Sequence, residues 1–362
     1  MRPQASSDNL NHKFNPSTLK KVFIILSIIL IGASWYYREL LSYGLMQAKG
    51  QFEIIWNVRP VEEVLQDPAF PDSLKARIRL IEEIKQFGVD SLGLAKSDNY
   101  TTFYDQKGKP LIWLVTASPK YRIEAFKWHF PVIGSFPYKG YFDSTRAVID
   151  EQKLKQQGYD TDIGEVSAWS TLGYLKDPIL SSMLYKNEGS LANLILHELT
   201  HGTFFVKNNL ELNENLASFI GNYGAERFLI FKYGPDSKQL NEYQFSKNYN
   251  EAYAQHMLRG SKILDSLYAS FDVQNLSAKV KDSLKQEAIS GIVANIDTLM
   301  RGKLTLYTKK PKQPRELPNN AVFISYKTYR SQQKTFKKEF DEKYDSNFKT
   351  YLNKLKDIHE SP

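Results

Sequence analysis

The sequence predicts an α+β fold that is mainly α, preceded by one transmembrane helix. Three observations carry that expectation. Strand-like patterns, rich in β-branched and aromatic residues, are confined to residues 99–171. Apolar residues at helical spacing dominate 36–87 and everything after 210. An uncharged, mostly apolar run, VFIILSIILIGASWYY, fills 22–37.

That run holds about 16 residues, somewhat fewer than the ~20 that usually span a bilayer. Trp35, Tyr36 and Tyr37 at its end fit an interfacial aromatic belt, and Lys20 and Lys21 flank its start. Residues 1–21 carry Arg2, Lys13, Lys20 and Lys21 against Asp8. The positive-inside tendency then makes 1–21 a cytoplasmic tail, 22–37 an inner-membrane anchor and 38–362 one exported, periplasmic domain. A cleavable signal peptide is the alternative. Gly32-Ala33-Ser34 offers small residues, but the aromatics and Arg38 that follow make a poor cleavage site. A buried core helix is the bland reading, and so apolar a run after a polar tail has little reason to fold inward.

The later elements follow in order. Tyr36–Asn57 reads as a helix continuing from the anchor. DSLKARIRLIEEIKQF (72–87) starts on Asp and spaces Leu74, Ile78, Ile81 and Ile84 along one face, an amphipathic helix. TTFY and LIWLVTA flank the turn DQKGKP, so 99–118 reads as a hairpin. The Pro/Gly/aromatic stretch 130–143 reads as an ordered loop or short strand, 146–157 as a helix and 166–171 as a short strand. Helices are expected over 210–232, 236–270, 275–300 and 331–357. KKPKQPRELP (309–318) is a Pro/Lys-rich connector. No internal repeat and no linker divides the exported part.

Composition bounds the function. A 42% hydrophobic and 13% aromatic chain of 362 residues can build a sizeable core. With no Cys, disulfides and thiolate metal ligands are excluded. Residues 301–362 hold 12 Lys and 3 Arg against 7 acids, net +8, which is the whole-chain excess. A basic tail of this kind could touch anionic lipid or cell-wall polymer, while the bland reading is a set of solvated Lys-rich helices. No nucleic-acid motif accompanies it.

The chemistry centres on His197-Glu198-Leu199-Thr200-His201. On a helix, positions i and i+4 share a face, so both imidazoles reach one metal ion, and Glu198 beside it can take a proton from a bound water. The chain has only 6 His, so the spacing is no by-product of composition. Ser190 offers an N-cap hydroxyl, and Leu191, Leu194, Ile195, Leu196 and Leu199 supply the apolar sides of a buried helix. The bland reading is a core helix whose histidines merely hydrogen-bond.

Catalytic zinc takes three protein ligands and leaves one position open. A His-rich third-ligand pattern fails, because the positions it needs are Phe204 and Lys207. Glu214 on a following helix is the preferred third ligand, since Ala217 and Ser218 one turn on let that helix approach closely. Glu211, Glu188 and Glu226 compete, and an exposed helix-start acid is the bland reading of Glu214. A small sheet followed by many helices around such a site implies a zincin-like domain. His129 and His256 read as structural, and His12 and His359 as terminal and solvated.

The run HELTHGTFFVKNNLELNENLASFIGNYGAERFL (197–229) resembles the putative aminopeptidase family of Gram-negative bacteria, a group of HExxH metallopeptidases. FPVIGSFPYKGYFD (130–143), VSAWSTLGYLKDPILSSML (166–184), LPNNAVFISYKTYR (317–330) and the segment 36–68 agree with it in the same order. Many members look like lipoproteins, a form this Cys-free chain cannot take. The resemblance implies a Zn²⁺ peptidase over 38–362, with His197, His201 and Glu214 as ligands, Glu198 as base and a peptide as substrate.

Other roles rest on position alone. Tyr329 is the candidate donor to the developing oxyanion, with Tyr326 as runner-up and a packed surface Tyr as the bland reading. The strand VSAWS (166–170) could add a substrate to its edge, with Trp169 as a packing residue. Glu165 could hold a substrate α-amine. An envelope scaffold with a structural metal, or an amidase acting on cell-wall peptides, is the alternative function.

Overall fold

The structure is a computed structural model that describes residues 16–130, 134–166, 176–207, 209–296 and 317–360. The chain divides into two units at Glu53/Ile54. In the first, α1 (Pro16–Tyr36) contains the apolar run, and its Phe23, Ile31 and Trp35 are largely exposed. α2 (Arg38–Asn57) does not continue it straight, as the sequence led us to expect. The two helices meet at a 79° bend. The Arg38 guanidinium sits 5.1 Å over the Trp35 ring and donates to the Trp35 carbonyl, one of the last-turn carbonyls that a helix end leaves without a ladder partner. Among the described residues no single helix is long and apolar enough to cross a membrane, and α1 with α2 passes that test only as the bent pair.

The second unit is mainly helical with small sheets. β1 (Arg59–Pro60), β2 (Thr102–Tyr104) and β8 (Ile179–Leu180) form one sheet in the order β1-β2-β8, antiparallel then parallel. A second sheet runs β6-β3-β7, all antiparallel, from β3 (Trp113–Pro119), β6 (Tyr138–Tyr141) and β7 (Tyr159–Glu165). Among the described residues, β4 (Trp128–Phe130) and β5 (Gly134–Phe136) pair only with each other. The expected 99–118 hairpin is therefore wrong, because β2 and β3 belong to different sheets. Lys107 and Gly108 do turn at positive φ (52° and 71°), but the connection is long and carries Pro110, which cannot join a ladder. Gln106 is instead tied to Ser181 and Ser182 at the end of β8.

Helices surround these sheets. α3 (Val61–Gln66) leads to α4 (Asp72–Phe87), whose Ile78, Ile81 and Ile84 are buried as their spacing predicts. α5 (Ser144–Gln156) starts at Asp143, whose carboxylate accepts from the Thr145 and Arg146 N–H groups. α6 (Glu188–His201) and α7 (Leu210–Tyr233) are the most extensively packed pair. Leu191, Ile195, Leu196 and Leu199 of α6 meet Leu216, Phe219 and Ile220 of α7 in the main core. α8 (Lys238–Val273), α9 (Ala278–Ala294) and α10 (Asn320–Arg330) enclose a second core around Met257, Leu264, Ile292 and Phe323.

Two helical expectations need correction. The stretch 331–357 is two helices, α11 (Gln333–Tyr344) and α12 (Phe348–Glu360), broken where Asp345 and Ser346 take left-handed φ of 46° and 54°. Asp tolerates that region better than most residues, and Ser346 donates to Asp341 across the break. α10 was not foreseen, since AVFISYKTY has strand-like composition. Its start is set by Asn319, whose side chain accepts from the Ala321 N–H, and by burial of Phe323 and Ile324. Of the expected strand at 166–171 only Val166 is described; the rest, with Trp169, and the connector up to residue 316 lie outside the described residues.

Candidate metal centre

α6 begins at Asn187, whose side chain accepts from the Ser190 N–H at 2.8 Å. Ser190 is thus inside the first turn rather than at the N-cap, because Glu188 and Gly189 already take helical conformation. Gly189 is needed there. A Cβ at this position would lie 2.4 Å from the Tyr243 ring of α8. The register carries His197 and His201 to one face of the last two turns.

α7 reaches that face through a line of small residues. Ala217 and Ser218 are buried, as expected, and Gly221 extends the line. A Cβ at Gly221 would stand 2.9 Å from the Asn193 carbonyl and 3.2 Å from His197 Cβ. Two asparagines flanking Glu214 fix its height. Asn213 accepts from the Val206 N–H at 2.8 Å and donates to the Val206 carbonyl at 2.9 Å, clamping the α6–α7 loop. Asn215 donates to the Thr328 carbonyl of α10 at 2.7 Å and accepts from the Gln332 N–H at 3.0 Å.

The result is a triangle of ligand atoms. Nε2 of His197 and His201 are 3.3 Å apart, and Glu214 Oε2 lies 3.5 Å and 3.7 Å from them. Tetrahedral zinc with bonds of 2.0–2.2 Å separates neighbouring ligand atoms by about 3.3–3.6 Å. These residues therefore fit a metal ion by donor type and by spacing, and the cluster could hold one. His201 is 7% exposed, and its Nδ1 has no hydrogen-bond partner among the described residues.

The rival carboxylates are committed elsewhere. Glu211 accepts from Ser331 and Gln332, Glu188 pairs with Arg77 at 2.9 Å, and Glu226 pairs with Lys247 at 2.9 Å. Burial pushes the Glu214 carboxyl up, but the His197 and His201 imidazoles outweigh it and bring the group to about 2 in the metal-free protein. For His201, burial favours the neutral ring, and Glu214 overrides it to raise the pKa.

Glu198 projects a quarter-turn from His197. It lines a cleft of about 830 Å³ together with Leu199, Gly202 and the 95–99 segment. Tyr329, half-buried on α10, is electrostatically coupled to Glu214 and Glu198, and burial first, then those charges, push its phenol well above its ordinary pKa. Tyr326 instead stacks on Tyr253 in the second core. Glu165 lines a different cleft with Gln106 and Tyr185, which none of the metal cluster lines. His129 bonds to Ser135, and His256 to the Ile292 carbonyl. His359 is exposed, with its ring against Phe204.

Sequence reasoning missed Tyr138. Its phenol, pushed up first by burial and then by Glu214 and Glu198, belongs to the same surroundings. It sits opposite Thr116 on β6. Only long-range strand pairing brings it there, so no local spacing could have signalled it.

A mainly helical α+β protein with a buried two-histidine, one-carboxylate cluster able to hold a metal is the class that fold and site define. The chain belongs to the family described as Putative aminopeptidase, which it matches over residues 42–362. That membership suggests peptidase activity. No curated protein and no solved structure matches the chain.

Proposed function

We propose that this protein is a zinc-dependent peptidase of zincin-like fold that removes N-terminal residues from peptides. The observation that carries the reading is the 3.3–3.7 Å triangle of His197, His201 and Glu214 with Glu198 at the adjoining helix position. His197, His201 and Glu214 hold the metal. Zinc supplies a Lewis acid that lowers the pKa of water toward 7 and polarises a carbonyl. Glu198 accepts a proton as water attacks the scissile carbon and passes it to the leaving amine. Tyr329 keeps its proton at neutral pH and donates a hydrogen bond to the oxygen that gains charge.

We also propose that α1 anchors the chain in the inner membrane with the catalytic unit in the periplasm. Support comes from its exposed apolar side chains and from Lys20 and Lys21 at its start.

Metal analysis and a mixed peptide library test the reading with wild type and Glu198→Gln. Both proteins should carry zinc, and the substitution should lower hydrolysis by about 10²–10⁴-fold. Zinc in both with no wild-type cleavage would mean an envelope scaffold with a structural metal. Internal cuts, or activity restricted to wall peptides, would remove the aminopeptidase assignment.

A further inference from the structure

The basic excess of the C-terminal part plays no role in the metal chemistry, yet some of it converges on one hollow. A cavity of about 240 Å³ is lined by four cations, Arg330 at the end of α10 and Lys334, Lys337 and Lys338 on α11. Glu251 of α8 is the one acid on its wall among the described residues. Tyr223 of α7 lines it too, and follows Glu214 by nine residues. At ~100° per residue that is about 180° round the helix. The cavity therefore lies on the far side of α7 from the metal cluster, none of whose residues line it.

The charges in this hollow are poorly balanced. Asp341 pairs with Lys337. Glu251 lies 3.9 Å from Lys247, which also pairs with Glu226 at 2.9 Å and sits 3.7 Å from the Tyr223 ring. Arg330, Lys334 and Lys338 have no ion pair among the described residues. Lys334 and Lys338 are exposed, so water solvates them. Arg330 is half-buried, and burial lowers its pKa against the pull of Tyr243, Glu251 and Tyr326. A guanidinium nonetheless keeps its proton, so its charge is held with too little solvent and no counter-ion. Lys334 also stands in the first turn of α11, which opens without a side-chain cap, and the helix dipole there adds to the positive field.

A solvated basic face spreads its lysines apart. Here like charges from two helices meet in a concavity, where they repel unless an anion stands between them. The volume is below the ~300 Å³ at which pockets begin to enclose drug-sized ligands, so the occupant is a small group. One guanidinium fork with flanking ammonium groups is a donor set suited to phosphate, which takes paired N–H bonds from Arg and point charges from Lys.

We propose that this cavity binds a phosphate group, free or carried on a lipid headgroup, with Arg330 as the fork and Lys334 and Lys338 as flanking charges.

The test is calorimetric titration of the full-length, zinc-loaded protein with inorganic phosphate, at an ionic strength held constant with chloride. Wild type should bind one phosphate per chain. Arg330→Gln should weaken binding by about 10- to 100-fold. Lys338→Gln, an exposed change that leaves the fold intact, should weaken it by about 3-fold. Glu251→Gln should tighten it by about 3-fold, because the one acid of the wall has gone. Those opposite shifts decide the matter even where Arg330→Gln fails to fold. Titration in the presence of phosphatidic acid vesicles, against phosphatidylcholine vesicles, separates the sources. Phosphate displaced only by the former marks a headgroup as the occupant, and phosphate retained in both marks the free anion. Absence of phosphate binding overturns the proposal. Equal affinity in wild type and all folded variants overturns it too, by placing the ion at the zinc or in the diffuse surface charge.

Discussion

Asn215 donates to the Thr328 carbonyl at 2.7 Å, and this bond joins the turn that carries Glu214 to the turn that carries Tyr329. The same side chain accepts from the Gln332 N–H, and its carbonyl accepts from Gln333. Asn215 is fully buried, so no solvent competes for these bonds. Glu214 and Tyr329 are separated by over a hundred residues of sequence, and this amide is one of the ties that set their relative placement.

Asn215→Ala should accordingly do more than weaken the fold. It strands a buried carbonyl and N–H, a loss of about 1–3 kcal/mol. It also frees the end of α10, so kcat should fall further than zinc content does. Thermal melting, bound zinc and kcat measured on one preparation check this. An unchanged melting temperature would show that the amide is dispensable.

Gly221 sets how near α7 can come to the metal helix. Alanine there would meet the Asn193 carbonyl at 2.9 Å and His197 Cβ at 3.2 Å, and neither is the end of a flexible chain. The helices must part, costing about 1–3 kcal/mol and widening the distance between Glu214 and the imidazoles. Zinc affinity should drop in the same variant. Gly291→Ala is the control, since its Cβ would point into open space on α9. It should stabilise by about 0.5–1 kcal/mol. Equal effects from the two substitutions would remove the close-approach argument.

Much of the candidate metal centre was readable because its parts are local. His197 and His201 are one helical turn apart, and the small residues after Glu214 announce a close helix contact. The core face of α4 was equally plain from Ile78, Ile81 and Ile84. What failed depended on distant partners. Tyr138 reaches the site through pairing of β6 with β3, and TTFY took β1 and β8 as partners rather than the apolar strand that follows it in sequence. α10 ran against its own residue preferences, because burial of Phe323 and Ile324 outweighs the modest helix penalty of β-branched residues. The break at Asp345 costs too little for an Asp-Ser pair to signal it strongly.

Proton and metal should compete at His201 with opposite effects on stability. In the metal-free protein its folded pKa is raised above 6.5, burial opposing and Glu214 driving the shift. A raised histidine stabilises fully below its unfolded pKa, and that contribution is lost as pH rises through the folded value. Glu214, lowered from 4.5 to about 2, stabilises fully above 4.5 and loses that contribution progressively as pH falls from 4.5 to about 2, so it stays charged across the neutral range. Chelated protein should therefore melt at lower temperature as pH is raised from 6.5 through the raised His201 transition. Zinc requires the neutral imidazole, so its affinity should climb over the same interval. The zinc-induced rise in melting temperature should grow with pH while the chelated baseline falls. Calorimetry of chelated and zinc-loaded samples across that range reads both slopes. Parallel profiles for the two samples would show that His201 does not exchange its proton for the metal.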